Sequence, residues 1–158
     1  MVNNAGIAPP RSAVLKTSLR DWDRTLATCL RAPMVLTRLV LPDMLAHRRG
    51  AIISIASIAA KKGRAGEAAY AAAKFGLLGF TQSLYEEVRN QGIKVCTICP
   101  GFVDTGLIPP NKHVDRAKFL QPGDIADLVH EVVSSPVRAC PTEIIVEPQF
   151  DPEAGSKR

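Results

Sequence analysis

The sequence predicts an α/β fold built on a mainly parallel β-sheet. Two observations lead to this class. Helical and strand-like segments alternate along the chain with Gly and Pro between them, and two of the strand segments are short apolar runs typical of strands buried on both faces. The length of 158 residues is that of one domain, and no internal repeat is visible.

The first part of the chain predicts the end of a strand and then a helix. Val2 is expected to end a strand, and the turn-forming segment 3–6 (Asn-Asn-Ala-Gly) follows it. Ser18 is a good N-cap, and apolar residues continue after it at helical steps, so a long helix is expected to begin there. Pro33 and Pro42 are expected to bend or break this helix.

The middle of the chain predicts a βαβ unit. The run 51–56, opened by Gly50, is rich in isoleucine and predicts a buried strand. Strong helix formers occupy 68–90, with Gly92 at a C-cap position. A second buried strand is expected over 93–98, where a Pro-Gly pair stops it.

The last part of the chain predicts one more helix and one more strand. The helix is expected over 122–133 and the strand over 143–146. A polar tail from Asp151 to Arg158 is expected to be disordered.

Composition excludes several classes of protein. With 46% hydrophobic and 22% charged residues, the chain matches a globular protein rather than a disordered one. It has no apolar run long enough for a membrane span, no secretory signal, and four scattered cysteines, so a reducing, cytoplasmic location is expected. The net charge of +5 is attributed to solvated surface, because the eight aromatics are spread over the whole chain instead of forming a base-stacking surface.

Three polar residues are the strongest candidates for chemistry. Tyr70 and Lys74 are four apart near the start of a helix, so both point from one face. Ser57 lies where the preceding strand ends, which is where ligands bind in open α/β sheets. Each residue alone also fits a structural role, since such a Tyr–Lys pair is usually a surface pair and such a serine is usually a turn or cap residue.

The Tyr–Lys pair has a physical consequence for proton transfer. A phenol has an ordinary pKa of about 10, and an ammonium ~4 Å away favours the phenolate by ~4 kcal/mol before screening. The pKa of Tyr70 is therefore expected to fall by up to about 3 units, which would suit an acid or base near neutral pH.

Four segments occur in the order that one enzyme family shows. Ser57 followed by the segment 70–74 (Tyr-Ala-Ala-Ala-Lys) resembles the active-site motif of the short-chain dehydrogenase/reductase family. Segment 3–6 resembles its Asn-Asn-Ala-Gly motif at a strand end, and segment 100–105 (Pro-Gly-Phe-Val-Asp-Thr) resembles its nicotinamide-side motif. The resemblance covers residues 2 to about 148.

The resemblance implies hydride transfer between NADP or NAD and a carbonyl compound or secondary alcohol. Tyr70 is then the general acid in reduction and the base in oxidation, Lys74 lowers its pKa and binds the nicotinamide ribose, and Ser57 orients the substrate oxygen. The implied cofactor-binding residues are Asn4, Ala5, Gly6, Tyr70, Lys74, Pro100, Gly101, Val103 and Thr105, and no metal is implied. Residues 107–120 correspond to the variable substrate loop. The final strand is similar to that of a subgroup acting on small hydroxy acids and oxoacyl compounds.

Two departures from the family pattern affect these expectations. Cys29 stands where the family usually has an asparagine that supports a proton-relay water, and a thiol is a poor substitute for a carboxamide. Proton transfer is therefore expected to be reduced rather than abolished. The glycine-rich turn that binds the pyrophosphate in a dinucleotide-binding fold is absent from the sequence, as is the residue that selects NAD or NADP.

Residues 1–150 are therefore expected to form the C-terminal part of a partial Rossmann-like, doubly wound domain. A truncated reading frame, a splice form or a fragment is expected to explain the missing part. A missing N-terminus leaves room for an organellar targeting segment as an alternative to the cytoplasmic location. The alternative to an enzyme is a non-catalytic remnant that acts as an interaction or dimerisation module. The expected substrate is a small carbonyl compound or alcohol. Further copies of the chain are expected to associate with it through the helices around 18–48 and 68–90. Neither nucleic acid nor a membrane is expected as a partner.

A third interpretation takes Cys96 and Cys99 as a redox or metal motif. Redox pairs of this spacing favour a helix N-terminus, whereas this pair ends a predicted strand, where side chains three apart face opposite sides. No second such pair or nearby histidine pair completes a zinc site.

Overall fold

The structure is a computed structural model that describes residues 1–108 and 114–153. In these residues it contains a four-stranded parallel sheet with helices on both faces. The strands are β1 (Val2–Asn3), β2 (Gly50–Ile55), β3 (Ile93–Pro100) and β4 (Glu143–Val146). The helices are α1 (Leu19–Leu26), α2 (Ala32–Ala46), α3 (Ala68–Val88) and α4 (Pro122–Ser134). The predicted α/β class and the strand predicted over 143–146 are confirmed.

The strands lie in the order β1-β2-β3-β4, so each strand pairs with its neighbours in sequence. Asn3 pairs with Ser54, and Ile55 at the end of β2 pairs with Ile98. Pro100 at the end of β3 pairs with the last residue of β4. The carboxyl ends of all four strands therefore meet at one edge of the sheet, which is where ligands bind in open α/β folds.

Alternation along the two central strands builds a core on each face of the sheet. Ile52 and Val95 pack against side chains of α3. Their neighbours Ile53 and Cys96 point the other way and pack against Val132 of α4. Because they are buried on both faces, β2 and β3 are mainly apolar, and the doubly wound arrangement is confirmed.

The helix predicted to start after Ser18 is present but follows a different path beyond Leu26. The Ser18 hydroxyl accepts a hydrogen bond of 3.1 Å from the N–H of Asp21, as an N-cap does. A five-residue π turn (Ala27–Arg31) then joins α1 to α2. Pro33 lies in the first turn of α2, where proline is tolerated because a backbone N–H there would have no partner within the helix. The helix continues through Pro42, so of the expected bend or break, a break does not occur there.

The end of α3 shows why glycine is needed at position 92. A short 3₁₀ turn (Arg89–Gln91) extends α3, and Gly92 follows in the left-handed conformation with φ +76°. A Cβ on Gly92 would lie 2.3 Å from the carbonyl oxygen of Arg48. Both the dihedral angle and the close approach exclude a side chain, so the predicted C-cap is confirmed.

Candidate active site

A cavity of about 1550 Å³ lies at the carboxyl edge of the sheet. Its walls come from the segments that follow all four strands, together with the start of α3 and part of α4. Ser57, Tyr70 and Lys74 all line it. Of the cofactor-binding residues implied by the resemblance, the cavity is lined by Asn4, Gly6, Tyr70, Lys74, Pro100, Gly101, Val103 and Thr105. Ala5 is exposed and does not line it.

Ser57 lies two residues beyond the end of β2 and is half-buried. Its hydroxyl accepts a hydrogen bond of 3.1 Å from the N–H of Ala59 and caps a 3₁₀ turn (Ile58–Ala60). The same side chain is close enough to Tyr70 to act on the pKa of the phenol. Ser57 therefore has the expected structural role of a turn cap and is also a neighbour of the phenol.

Tyr70 is the third residue of α3 and is half-buried in the wall of the cavity. Burial raises the pKa of Tyr70 to about 12, and the nearby Ser57 side chain opposes this rise without cancelling it. The expected lowering of this pKa is thus wrong for the protein without bound ligand. The reason is that burial, which residue spacing does not reveal, dominates, and the effect that opposes it comes from Ser57 rather than from Lys74.

Lys74 lies one turn after Tyr70 and is only 4% exposed. Its Nζ donates a hydrogen bond of 2.9 Å to the carbonyl oxygen of Ile55, at the end of β2. The same atom lies 5.6 Å from the centre of the Tyr70 ring. Burial lowers the pKa of Lys74. The helix spacing brings the two side chains together as expected, but the ammonium bonds to the sheet.

Cys29, in the π turn between α1 and α2, is fully buried beside the same site. Its sulfur accepts a hydrogen bond of 3.4 Å from the N–H of Ile7 and donates one of 3.3 Å to the carbonyl oxygen of Ile7. A Cβ on Gly6 would contact both the Cys29 sulfur, at 3.9 Å, and the Lys74 Nζ, at 3.7 Å. The thiol thus fixes the main chain just after β1, a contact that the sequence did not reveal.

The two asparagines after Val2 have different environments. Asn3 is buried, and neither polar atom of its side-chain amide has a hydrogen-bond partner among the described residues. Asn4 is exposed and lines the cavity. Asn4 is therefore the asparagine of this turn that a ligand in the cavity reaches.

The opposite side of the cavity is formed by the segment that follows β3. Val103 and Leu120 form an isolated parallel bridge that closes the base of the expected substrate loop. Within the loop, the Arg116 guanidinium bonds to the Asp104 carboxylate and, at 2.9 Å, to the carbonyl oxygen of Ile108. Residues 109–113 of this loop and 154–158 of the expected tail lie outside the described residues.

The two cysteines of β3 lie on opposite faces of the sheet. Cys96 packs on the α4 side of the sheet and Cys99 on the α3 side, as strand alternation predicts. Burial raises the pKa of the Cys96 thiol to about 12 and also raises that of Cys99, so neither favours the reactive thiolate. In residues 1–108 and 114–153, no group of three potential metal ligands converges.

Nothing in the described part of the chain is both helical and apolar over the length that a bilayer crossing requires.

Comparison with protein families gives a match over most of the chain. The model of a family described as short chain dehydrogenase matches residues 1–114. A 3-oxoacyl-acyl-carrier-protein reductase of Vibrio cholerae is 38% identical over 107 residues, covering 68% of this chain and 43% of that protein. The corresponding reductase of Synechocystis is 32% identical over 145 residues, covering 88% of this chain and 58% of that protein. The chain thus spans about half the length of these curated relatives.

Solved structures give the same result for the fold. A metagenomic short-chain oxidoreductase in complex with NADP superimposes with a TM-score of 0.78 at 32% identity, over 95% of this chain and 61% of that one. A 3-oxoacyl-acyl-carrier-protein reductase from Brucella melitensis with bound NAD gives a TM-score of 0.82 at 27% identity, over 94% of this chain and 60% of that one. The sheet is therefore Rossmann-like, and the chain belongs to the short-chain dehydrogenase family.

Proposed function

We propose that this chain carries the catalytic groups of an NAD(P)-dependent oxidoreductase that interconverts a carbonyl compound and a secondary alcohol. The observation that carries the proposal is that three side chains line one cavity: Ser57, Tyr70 and, one helical turn after Tyr70, Lys74. A proton donor, a group that orients an oxygen and a buried cation are what such a reaction requires.

The cavity also suits a nicotinamide ribose. An ammonium has three N–H donors, and the described residues supply one acceptor to Lys74, the carbonyl oxygen of Ile55. A cation that is 4% exposed is stabilised by further acceptors, and two adjacent ribose hydroxyls supply them. When bound, NADP or NAD supplies or accepts the hydride. We propose that Asn4, Gly6, Gly101 and Thr105 form the remaining walls of this cofactor site.

Tyr70 acts in this proposal as the acid in reduction. With a pKa of about 12, its phenol is protonated at neutral pH and is ready to donate a proton to a carbonyl oxygen that accepts hydride. Ser57 donates to the same oxygen and holds it beside the phenol. In oxidation the same groups work in reverse, and Tyr70 takes the proton of the alcohol.

The substrate class follows from the relatives. The two curated relatives described above are named as reductases of 3-oxoacyl groups carried by acyl-carrier protein. We propose a 3-oxoacyl compound or a similar small ketone as substrate, which the walls of the cavity accommodate with apolar side chains. These side chains include Ile58, Phe102, Leu107, Ile108, Val114 and Val129.

A second copy of the chain is the partner that we propose for the helices. Leu39 of α2 is 71% exposed, and Met34 of α2 and Phe75 of α3 are more than 40% exposed. Apolar side chains grouped on neighbouring helices are typical of an association surface. This surface serves the enzyme and also the alternative, a non-catalytic dimerisation module. Sedimentation of the parent and of Leu39→Glu tests it, since loss of the dimer is expected in the variant.

Titration of NADH and NADPH while nicotinamide fluorescence is recorded distinguishes the enzyme from the alternative. The proposed function predicts saturable binding of at least one cofactor by the full chain. Lys16→Met, which alters an exposed lysine that does not itself line the cavity, serves as the control for nonspecific loss of charge. Absence of saturation with both cofactors favours the dimerisation module.

A further inference from the structure

A row of polar side chains crosses the buried interior of the sheet. Asn3 of β1 is in register with Ser54 of β2, and Ser54 is in register with Thr97 of β3. Residues in register on neighbouring parallel strands point to the same face of the sheet. All three are buried, although strands covered on both faces are normally apolar. We define Asn3, Ser54 and Thr97 as the polar row.

The polar row faces the helices α2 and α3. The Oγ atom of Ser54 lies 3.4 Å from the Oγ1 atom of Thr81 in α3, which identifies the face. Thr37 of α2 is also buried, and it lies one turn before Leu41, which packs against the core on this face of the sheet. Thr37 therefore belongs to the same layer between the sheet and the helices as the polar row.

This layer contains most of the unsatisfied buried polar atoms of the described residues. Five buried side-chain atoms lack a hydrogen-bond partner there, and four of them are the two amide atoms of Asn3 and the hydroxyls of Thr37 and Thr97. The fifth belongs to Trp22 of α1. Buried polar groups in folded proteins are nearly always bonded to protein or to ordered water. Four exceptions in one layer therefore indicate a shared partner.

The spacing of the polar row fits water as that partner. Adjacent strands lie ~4.8 Å apart, which exceeds the ~3 Å of a direct hydrogen bond and suits one bridging molecule. The single proton of the Thr81 hydroxyl goes to the nearer carbonyl oxygen of Leu77, at 2.8 Å, so the Ser54 oxygen stays free to accept. The Asn3 amide adds two donors and one acceptor. A buried water needs two to four such partners.

We infer that internal water binds between the polar row and the helices, where it bridges Asn3 to Ser54 and Ser54 to Thr97. In the described part of the chain β1 has two residues and pairs with β2 alone, so this water adds a link from β1 to β3. The inference concerns the chain without cofactor and does not depend on the proposed function.

Thr97→Val tests the inference through stability, because valine keeps the shape of threonine and removes the hydroxyl. A hydroxyl that bonds to internal water is lost at a cost, so the midpoint of urea unfolding is expected to fall by about 0.5 M. The matched control is Thr25→Val, which removes a buried hydroxyl bonded to the carbonyl oxygen of Asp21 at 2.7 Å and is expected to lower the midpoint similarly.

The opposite result for Thr97→Val has a clear meaning. A buried hydroxyl without any partner destabilises the fold, so its removal would leave the midpoint unchanged or raise it. That outcome, with a lowered midpoint in Thr25→Val, overturns the inference.

Nuclear magnetic resonance detects the water directly in the unsubstituted chain, so the test does not depend on the folding of a variant. Rotating-frame Overhauser peaks are expected between water and both the Asn3 side-chain amide and the Thr97 methyl group, with the sign that separates contact from proton exchange. The control is Val132, which is fully buried on the opposite face, and its methyl groups are expected to show no such peak. Absence of the peaks at Asn3 and Thr97 overturns the inference. Because no cofactor is added, failure of the proposed function leaves both measurements valid.

Discussion

The Nζ atom of Lys74 donates a hydrogen bond of 2.9 Å to the carbonyl oxygen of Ile55 and thereby links α3 to the end of β2. Because this bond directs the ammonium toward the sheet, Lys74 positions the start of α3 and does not by itself generate a phenolate at Tyr70. Burial then decides the protonation state of Tyr70, and its pKa is raised to about 12. The raised pKa thus keeps the Tyr70 phenol protonated at neutral pH, as the proposed acid requires.

The first prediction concerns the ionisation of Tyr70. The chain has two tyrosines, so in Tyr85→Phe the phenolate absorbance reports Tyr70 alone. We expect its titration midpoint near pH 12, because burial disfavours the charged phenolate. Tyr70→Phe, in which Tyr85 is the remaining tyrosine, gives the comparison curve. A midpoint for Tyr70 at or below 10 contradicts the structure.

The pH dependence of carbonyl reduction gives the second prediction. Since the raised pKa keeps the phenol protonated, we expect no loss of the reduction rate from Tyr70 ionisation as pH rises from neutrality to about 10. The experiment is kcat for carbonyl reduction at saturating cofactor. A decline with a midpoint near pH 7 would show that the bound cofactor lowers the Tyr70 pKa far more than burial raises it.

Lys74→Met is the third test. The substitution removes the N–H groups of Lys74 that we propose donate hydrogen bonds to the ribose hydroxyls. The Kd for NADH or NADPH is therefore expected to rise about tenfold or more, which is the usual effect of losing hydrogen bonds from a charged group. Nicotinamide fluorescence measures the Kd, and far-ultraviolet circular dichroism checks that the fold is retained. Lys16→Met is the matched control; equal Kd values in the two variants argue against the assignment.

Cys29 leads to a prediction about stability. Cys29→Ala leaves the N–H and C=O of Ile7 without their sulfur partner, so we expect a loss of about 1–3 kcal/mol in the free energy of unfolding, measured with urea. Cys140→Ala, at a half-buried position, is the control and is expected to cost less.

The same position tests the proton relay. Cys29→Asn supplies the carboxamide that the family usually has, and turnover is expected to rise if the relay is limiting. Unchanged turnover in Cys29→Asn would leave the thiol with a structural role only.

Local signals predicted the elements of this fold well. The strand over Glu143–Val146, the N-cap at Ser18 and the left-handed Gly92 each depend on a few neighbouring residues, and each is present. The π turn was not predicted, because its widened hydrogen bonding depends on packing against α3, where a Cβ on Gly76 would lie 2.9 Å from the Leu30 side chain.

The sequence predicted that Ser57, Tyr70 and Lys74 lie close together, but it did not predict the electrostatics of these groups. Spacing placed Tyr70 and Lys74 on one helix face, and the strand end placed Ser57 beside them. The direction of the Tyr70 pKa shift depends on burial by distant segments, and the acceptor of Lys74 is a main-chain oxygen, which no residue type signals. The contact that residues after β4 make with the cavity was likewise missed, since the hydrogen bond from Asp115 to Pro152 joins residues far apart in sequence.

The most direct test of the proposed chemistry is carbonyl-dependent oxidation of NADPH or NADH by the parent, by Tyr70→Phe and by Tyr85→Phe. The loss of one hydroxyl from the proposed acid is expected to reduce kcat by about a hundredfold or more while cofactor binding is retained, and Tyr85→Phe is expected to match the parent. A Tyr70→Phe variant that binds cofactor and turns over at the parent rate contradicts the assignment of Tyr70 as the catalytic acid.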